Sequence, residues 1–174
     1  MIIIFAPHVD DEAIGCWSAL SRNWRGLGDD VRVAYCEPIN PIRRLERDLA
    51  SEQVGFGFHV IDPKEETLYE YLSEVLLLFA GEISAVYAPD PHFELHPLHK
   101  TVGVMVHHLC RRRDIPFRAY STNMNVPYLK ELTKEEASEK KDFLDLCYPS
   151  QSSLWERDHR YWLFEGIAQW NPEK

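Results

Sequence analysis

The segment A-P-H-V-D-D-E at residues 6–12 sets one imidazole, His8, beside three carboxylates, Asp10, Asp11 and Glu12. A second segment, D-P-H-F-E-L-H-P-L-H at residues 90–99, carries His92, His96 and His99. Imidazole and carboxylate are ordinary ligands of a catalytic zinc, and two histidines with one carboxylate leave a coordination position open. A metal so held acidifies bound water and polarises a carbonyl. His8 and Asp11 can converge on one metal at a strand-to-helix turn, which leaves Asp10 between them as a base. Pro97 suits a first helical turn, so His96 falls near the N-cap and His99 one turn in. Their i,i+3 spacing puts both imidazoles on one side of that turn. The H-E-x-x-H helix of common metalloproteases is absent.

A plainer reading exists for each group. Asp10 can cap a helix, with Asp11 and Glu12 favoured in its first turn by the helix dipole. That accounts for the acids but not for His8. A single histidine is usually solvated or hydrogen-bonded, and His59, His107, His108 and His159 are read that way. His8, His96 and His99 differ because the element order brings them to one edge of a sheet.

Apolar, β-rich runs alternate with helical patterns. Strands are expected at residues 1–6, 31–36, 58–61, 83–88 and 117–121. Helices are expected at 11–25, 42–54, 65–79, 97–112, 134–146 and 155–170. This alternation predicts an α/β, Rossmann-like fold with a mainly parallel sheet and helices on both faces. Right-handed crossovers bring the loops after the strands to one edge, where open α/β sheets bind ligands. The segments at 8–12, 37–44, 62–64, 89–99 and 122–125 fall there. The first loop lacks the G-x-G-x-x-G of a dinucleotide site, and its acids would repel a pyrophosphate.

The chain has 174 residues, enough for one domain spanning 1–174 without staples. Its 19 Lys and Arg against 28 Asp and Glu give a net charge of −9. That balance argues against broad nucleic-acid binding and against an anionic membrane surface. The apolar start has no basic flank to make it a signal peptide, and no run reaches the ~20 residues of a spanning helix. A cytoplasmic protein is expected. Cys16, Cys36, Cys110 and Cys147 lie far apart and read as small core hydrophobes. The charge run at 130–141 reads as a solvated helix face. Trp155, Tyr161, Trp162, Phe164 and Trp170 crowd the end of the chain, and an aromatic face there would suit a homo-oligomer.

A-P-H-V-D-D-E resembles the A-H-P-D-D-E signature of the zinc-dependent PIG-L/LmbE-like de-N-acetylases, and H-P-L-H at 96–99 resembles their H-P-D-H. Between them, Arg43, Glu46, Ala50, Val54 and Gly55 resemble the family's R-x-x-E-x-x-x-A-x-x-x-L-G helix, and Tyr148 to Gln151 its Y-x-S-Q. The resemblance implies one zinc held by His8, Asp11 and His99. It implies Asp10 as general base, His96 beside the reacting carbonyl and Arg43 near the substrate. The implied reaction is removal of an N-acetyl group from an amino sugar or glycoconjugate. Metal-assisted phosphoester hydrolysis and an inactive sugar-binding domain are the alternatives. Two departures stand out: Pro7 precedes the histidine instead of following it, and Leu98 replaces the acid of H-P-D-H. With position 98 apolar, the carboxylate partner of His96 is expected from Glu94, Asp90 or Glu12.

Overall fold

A computed structural model describes residues 1–28 and 30–168. The first strand, β1 (Ile2–Ala6), alternates its side chains between two cores. Ile4 and Ala6 join the cluster around Trp17, Leu20 and Tyr148, and Ile3 and Phe5 join the one around Leu72, Leu76 and Val106. Both faces of the strand are therefore buried, as its unbroken apolar run requires. Ile3, Ile4 and Phe5 are wholly buried, and each contributes roughly 1.5–3 kcal/mol.

β1 pairs in parallel with β2 (Val31–Tyr35) on one side and β4 (Ala85–Pro89) on the other. β2 continues to β3 (Gly57–Val60), and β4 to β5 (Phe117–Ser121), all in parallel. Beyond β5 the sheet turns antiparallel through β7 (Phe164–Ala168) and the short β6 (Lys130–Glu131). The order β3-β2-β1-β4-β5-β7-β6 reverses direction between β1 and β4. A crevice forms at such a switch point, outside the carboxyl ends of the strands. The α/β, mainly parallel architecture read from the sequence is what the structure has.

The helices follow their local signals. In α2 (Pro41–Val54), Asn40 caps the Arg43 N–H and Gly55 closes the helix at φ 80°. α3 (Leu68–Leu78) and α5 (Lys134–Cys147) open on Thr-x-x-Glu capping boxes, which satisfy two orphan N–H groups each. α4 (Pro97–Arg113) starts at Pro97 with His96 as N-cap. Gly103 lets α4 lie directly on the end of β4: a Cβ there would stand 2.2 Å from the Pro89 carbonyl oxygen.

Three expectations need correction. Residues 155–170 do not form one helix: α6 (Ser152–Arg157) and the single turn α7 (Arg160–Leu163) give way to β7. The strand is hidden in the sequence because its acid points inward. Glu165 is buried and bonded to Ser18, and Gly166 passes so close to Ser121 that a Cβ would meet its carbonyl oxygen at 2.9 Å. The charge run at 130–141 is not all solvated, since Lys140 is wholly buried. The aromatic face is smaller than expected: Trp155 is buried, and Tyr161, Trp162 and Phe164 are half-buried, the first two packed on the core. Trp170 lies outside the described residues. All four cysteines are free and buried. Among the described residues no helix is long and apolar enough to cross a membrane.

Candidate metal centre

The loops after β1, β2, β4 and β5 meet over the switch point. His8 Nδ1, Asp11 Oδ2 and His99 Nε2 form a triangle with edges of 2.9 Å between the two nitrogens and 3.2 Å from each nitrogen to the oxygen. Three tetrahedral ligands of one zinc, each about 2.0–2.2 Å from it, lie about 3.3 Å apart. The donor types and their spacing therefore fit a zinc-sized cation. His96 stands beside the triangle, its ring centroid 4.8 Å from that of His8 and 5.3 Å from that of His99. The ligand atoms of His8, His96 and His99 all fall within 4.8 Å of one another, a cluster that could hold a metal ion.

Each element supplies its donor for a local reason. Asp10 occupies the N-cap position of α1 (Asp11–Trp24), but its side chain makes no cap bond and its backbone is left-handed, at φ 112°. That backbone turns the chain sharply between β1 and α1 and brings Asp11 back beneath His8. The His8 N–H donates to Asp11 Oδ2 at 2.7 Å, which locks the turn. His96, the N-cap of α4, also makes no side-chain cap bond. His99, three residues on, is buried.

Acidic partners stand behind the two triangle histidines. Glu94 Oε2 lies 3.0 Å from His99 Nδ1. A carboxylate only accepts, so a proton sits on Nδ1, and in the neutral ring that a metal requires the Nε2 lone pair faces the triangle. Glu94 is itself fixed by Ser121 Oγ (2.7 Å) and the Thr122 N–H (2.6 Å). Glu37 Oε2 lies 3.7 Å from His8 Nε2, on the ring edge away from the triangle. Such outer carboxylates set the orientation of metal-binding imidazoles. Glu94, one of three acids expected as candidates for His96, serves His99. Glu12 is taken by the hydroxyls of Tyr35 and Tyr148 and the Asp10 N–H, and Asp90 by the Tyr128 hydroxyl and the His92 N–H. Among the described residues no carboxylate lies within salt-bridge reach of His96.

The field in this crevice favours positive charge. Burial alone would depress the His99 pKa, but Asp11 and Glu94 on its two ring nitrogens push it up to about 10. Burial would raise the Asp11 carboxyl, and His99 and His8 overrule it and hold it well below the usual range. Asp10 goes the other way. Burial and the neighbouring Asp11 charge push it well up, and Arg43 opposes them only in part. A site that stabilises an imidazolium between two carboxylates stabilises a metal cation in the same place.

Arg43 reaches Asp10 Oδ2 at 3.0 Å and Glu46 Oε2 at 2.5 Å, with its guanidinium over the Tyr148 ring. Glu46 Oε1 also accepts from the Ser150 N–H. The motifs around Arg43 and Tyr148 thus form one brace around Asp10 and Glu12. Glu37, Glu46, Ser121 and Thr122 were not singled out as site residues from sequence. Glu37 and Thr122 follow strands and Ser121 ends one, and that position was their only signal. An open cleft of about 410 Å³ lies over the triangle, lined in part by Asp10, Arg43, His96, Thr122 and Tyr161.

No protein-family model matches this chain. No curated protein matches it by sequence. Among solved structures, the chain is similar to GalB, the 4-carboxy-2-hydroxymuconate hydratase from Pseudomonas putida KT2440. The TM-score is 0.66 and the identity 12%, over 92% of this chain and 82% of that one. At this identity the likeness carries the fold. It also overturns the membership in the PIG-L/LmbE-like de-N-acetylases expected from the signatures, and with it the N-acetyl hydrolysis they implied. The similar solved structure is a hydratase by its title and not a de-N-acetylase, and no family model restores the assignment. The phosphoester hydrolase and the inactive sugar-binding domain gain no support from the comparison either. The signatures mark a turn that gathers groups able to hold a metal ion, and that turn does not specify the bond to be broken.

Proposed function

We propose that this chain is a zinc-dependent hydratase that adds water to the carbon–carbon double bond of a small unsaturated carboxylic acid. The observation that carries the reading is the triangle of His8, Asp11 and His99 with the buried carboxylate of Asp10 braced beside it by Arg43. A seat for a cation next to a proton acceptor suits the activation of water. Two imidazoles and a carboxylate with room for a further ligand suit zinc. The likeness to GalB, a hydratase by its title, supports the reaction class.

When bound, zinc supplies positive charge that acidifies water and steadies negative charge on a substrate oxygen. Asp10 accepts the water proton as the water oxygen bonds to the β-carbon. The π electrons move toward the carbonyl conjugated with the double bond. His96, exposed at the edge of the cleft, delivers the proton taken up by the α-carbon. Solvent then carries the proton on Asp10 away and restores the one on His96. Arg43 keeps the Asp10 carboxylate in place.

The test is incubation of the zinc-loaded protein with a panel of conjugated 2-hydroxy and 2-oxo unsaturated di- and tricarboxylic acids. Loss of ultraviolet absorbance reports saturation of the double bond. Turnover that disappears with a chelator and in Asp10→Asn is expected. Absorbance losses no faster than in Asp10→Asn across the whole panel would refute the reading.

A further inference from the structure

Helix α1 is interrupted at Cys16, whose φ of −128° and ψ of 31° are not helical. In an unbroken helix the Ser18 N–H would donate to the Ile14 carbonyl. Here the Ser18 N–H donates to Glu165 Oε1 at 2.7 Å, and the Ile14 carbonyl accepts from Lys140 Nζ, also at 2.7 Å. Glu165 takes the Ser18 hydroxyl as well. Lys140 adds a bond of 2.9 Å to the carbonyl of Phe164, the residue before Glu165. One cation from α5 and one anion from β7 thus stand where a single backbone hydrogen bond would be. Neither group touches the metal triangle.

We infer that Lys140 and Glu165 are positioning residues: inserted at the break in α1, they set where its first turn, with Asp10, Asp11 and Glu12, meets His8 and His99. The energetics require such a return. A backbone hydrogen bond within a helix is modestly stabilising and buries no charge. Desolvating two ions carries a large penalty, which their attraction rarely recovers in full. Lys140 is wholly buried and Glu165 nearly so, so the pair is a poor way to hold a straight helix. The break separates a short turn carrying the site acids from the rest of α1. That turn is pressed on the sheet at Gly15, where a Cβ would stand 2.2 Å from the Tyr120 ring. Closing the missing bond would rotate the turn against Tyr120 and swing Asp11 away from the two histidines.

The consequence for metal affinity rests on the proposed zinc site, but the consequence for the turn does not. The His8 N–H, bonded to Asp11 Oδ2 at 2.7 Å, reports the turn in metal-free protein through its amide resonance. Lys140→Met and Glu165→Leu are expected to shift that resonance and to weaken zinc binding at least tenfold in a chelator competition. Glu165→Gln keeps an acceptor for Ser18 and is expected to restore both toward wild type. The double variant Lys140→Met/Glu165→Leu leaves no charge buried alone, and guards against a single variant that fails to fold. An unmoved His8 amide in the folded variants would overturn the inference. A His8 amide that moves in a protein with no affinity for zinc would support the inference and sink the zinc site.

Discussion

Glu94 Oε2 stands 3.0 Å from Nδ1 of His99, so the carboxylate four residues along in the same loop from Asp90 decides which nitrogen the histidine turns to the crevice. Removing the charge while keeping the shape should loosen the ring without emptying the site. Glu94→Gln is expected to weaken zinc binding by roughly 10–100-fold, the usual scale for a group behind a metal ligand. Chelator competition on the purified variant measures this. An affinity equal to wild type would mean that Glu94 serves only Ser121 and Thr122.

Asp10 and Asp11 are neighbours with different assignments. Asp10→Asn is expected to keep about one zinc per chain and to lower kcat by roughly 10²–10⁴, because the amide cannot accept a proton at neutral pH. Asp11→Ala is expected to lose the metal as well. Metal content by atomic emission, beside steady-state kinetics, separates the two. Loss of zinc from Asp10→Asn would make it a ligand instead of a base.

Arg43 grips Asp10 and Glu46 with different nitrogens of one guanidinium. A lysine cannot span both carboxylates as a planar fork does. Arg43→Lys is expected to lower kcat tenfold or more with KM and zinc content close to wild type. A variant that raises KM and spares kcat would instead place Arg43 on the substrate.

The elements of the fold were legible wherever the local pattern agreed with the tertiary one. β1 read as a buried strand because both of its faces are buried, and α4 announced itself by Pro97 at its first turn. β7 was not legible, since a strand with an inward glutamate next to a glycine has no clear period. Lys140 was lost in a charged helix face for the same reason: nothing local marks the one lysine of a run that turns inward. The gathering of His8, Asp11, His96 and His99 could be read because the ends of parallel strands share an edge; the choice of His8, Asp11 and His99 as ligands came from the resemblance of the signatures. The pairing of Glu94 with His99 could not, because Asp90, Glu94 and Glu12 all lie close by and only the fold decides where each turns. The reaction was misread because ligand signatures describe how a cation is held, and several chemistries share that hold.

Burial pulls the Lys140 pKa down to about 8, against the opposing charge of Glu165. The folded value is below the ordinary lysine value of 10.5, so between the two the unfolded chain binds more protons. Stability must therefore rise with pH across that window, by roughly 3 kcal/mol in all. The buried thiols and tyrosines, with raised pKa values, act in the opposite sense at high pH. The difference between wild type and Lys140→Met removes their contribution. Urea unfolding at about pH 7.5 and about pH 10 is expected to show wild type gaining on the variant at the higher pH. A difference independent of pH would show Lys140 to titrate normally.

The left-handed backbone of Asp10, at φ 112°, has a meaning for anyone who engineers this protein. Non-glycine residues held in sparsely populated regions cost of order 1–3 kcal/mol, and Asp10 adds a carboxylate buried beside Asp11. Asp10→Gly relieves both and is expected to unfold at a higher temperature in a calorimetric scan, with no turnover left. A screen that ranks variants by heat tolerance alone would enrich glycine at this position and discard the activity along with the strain.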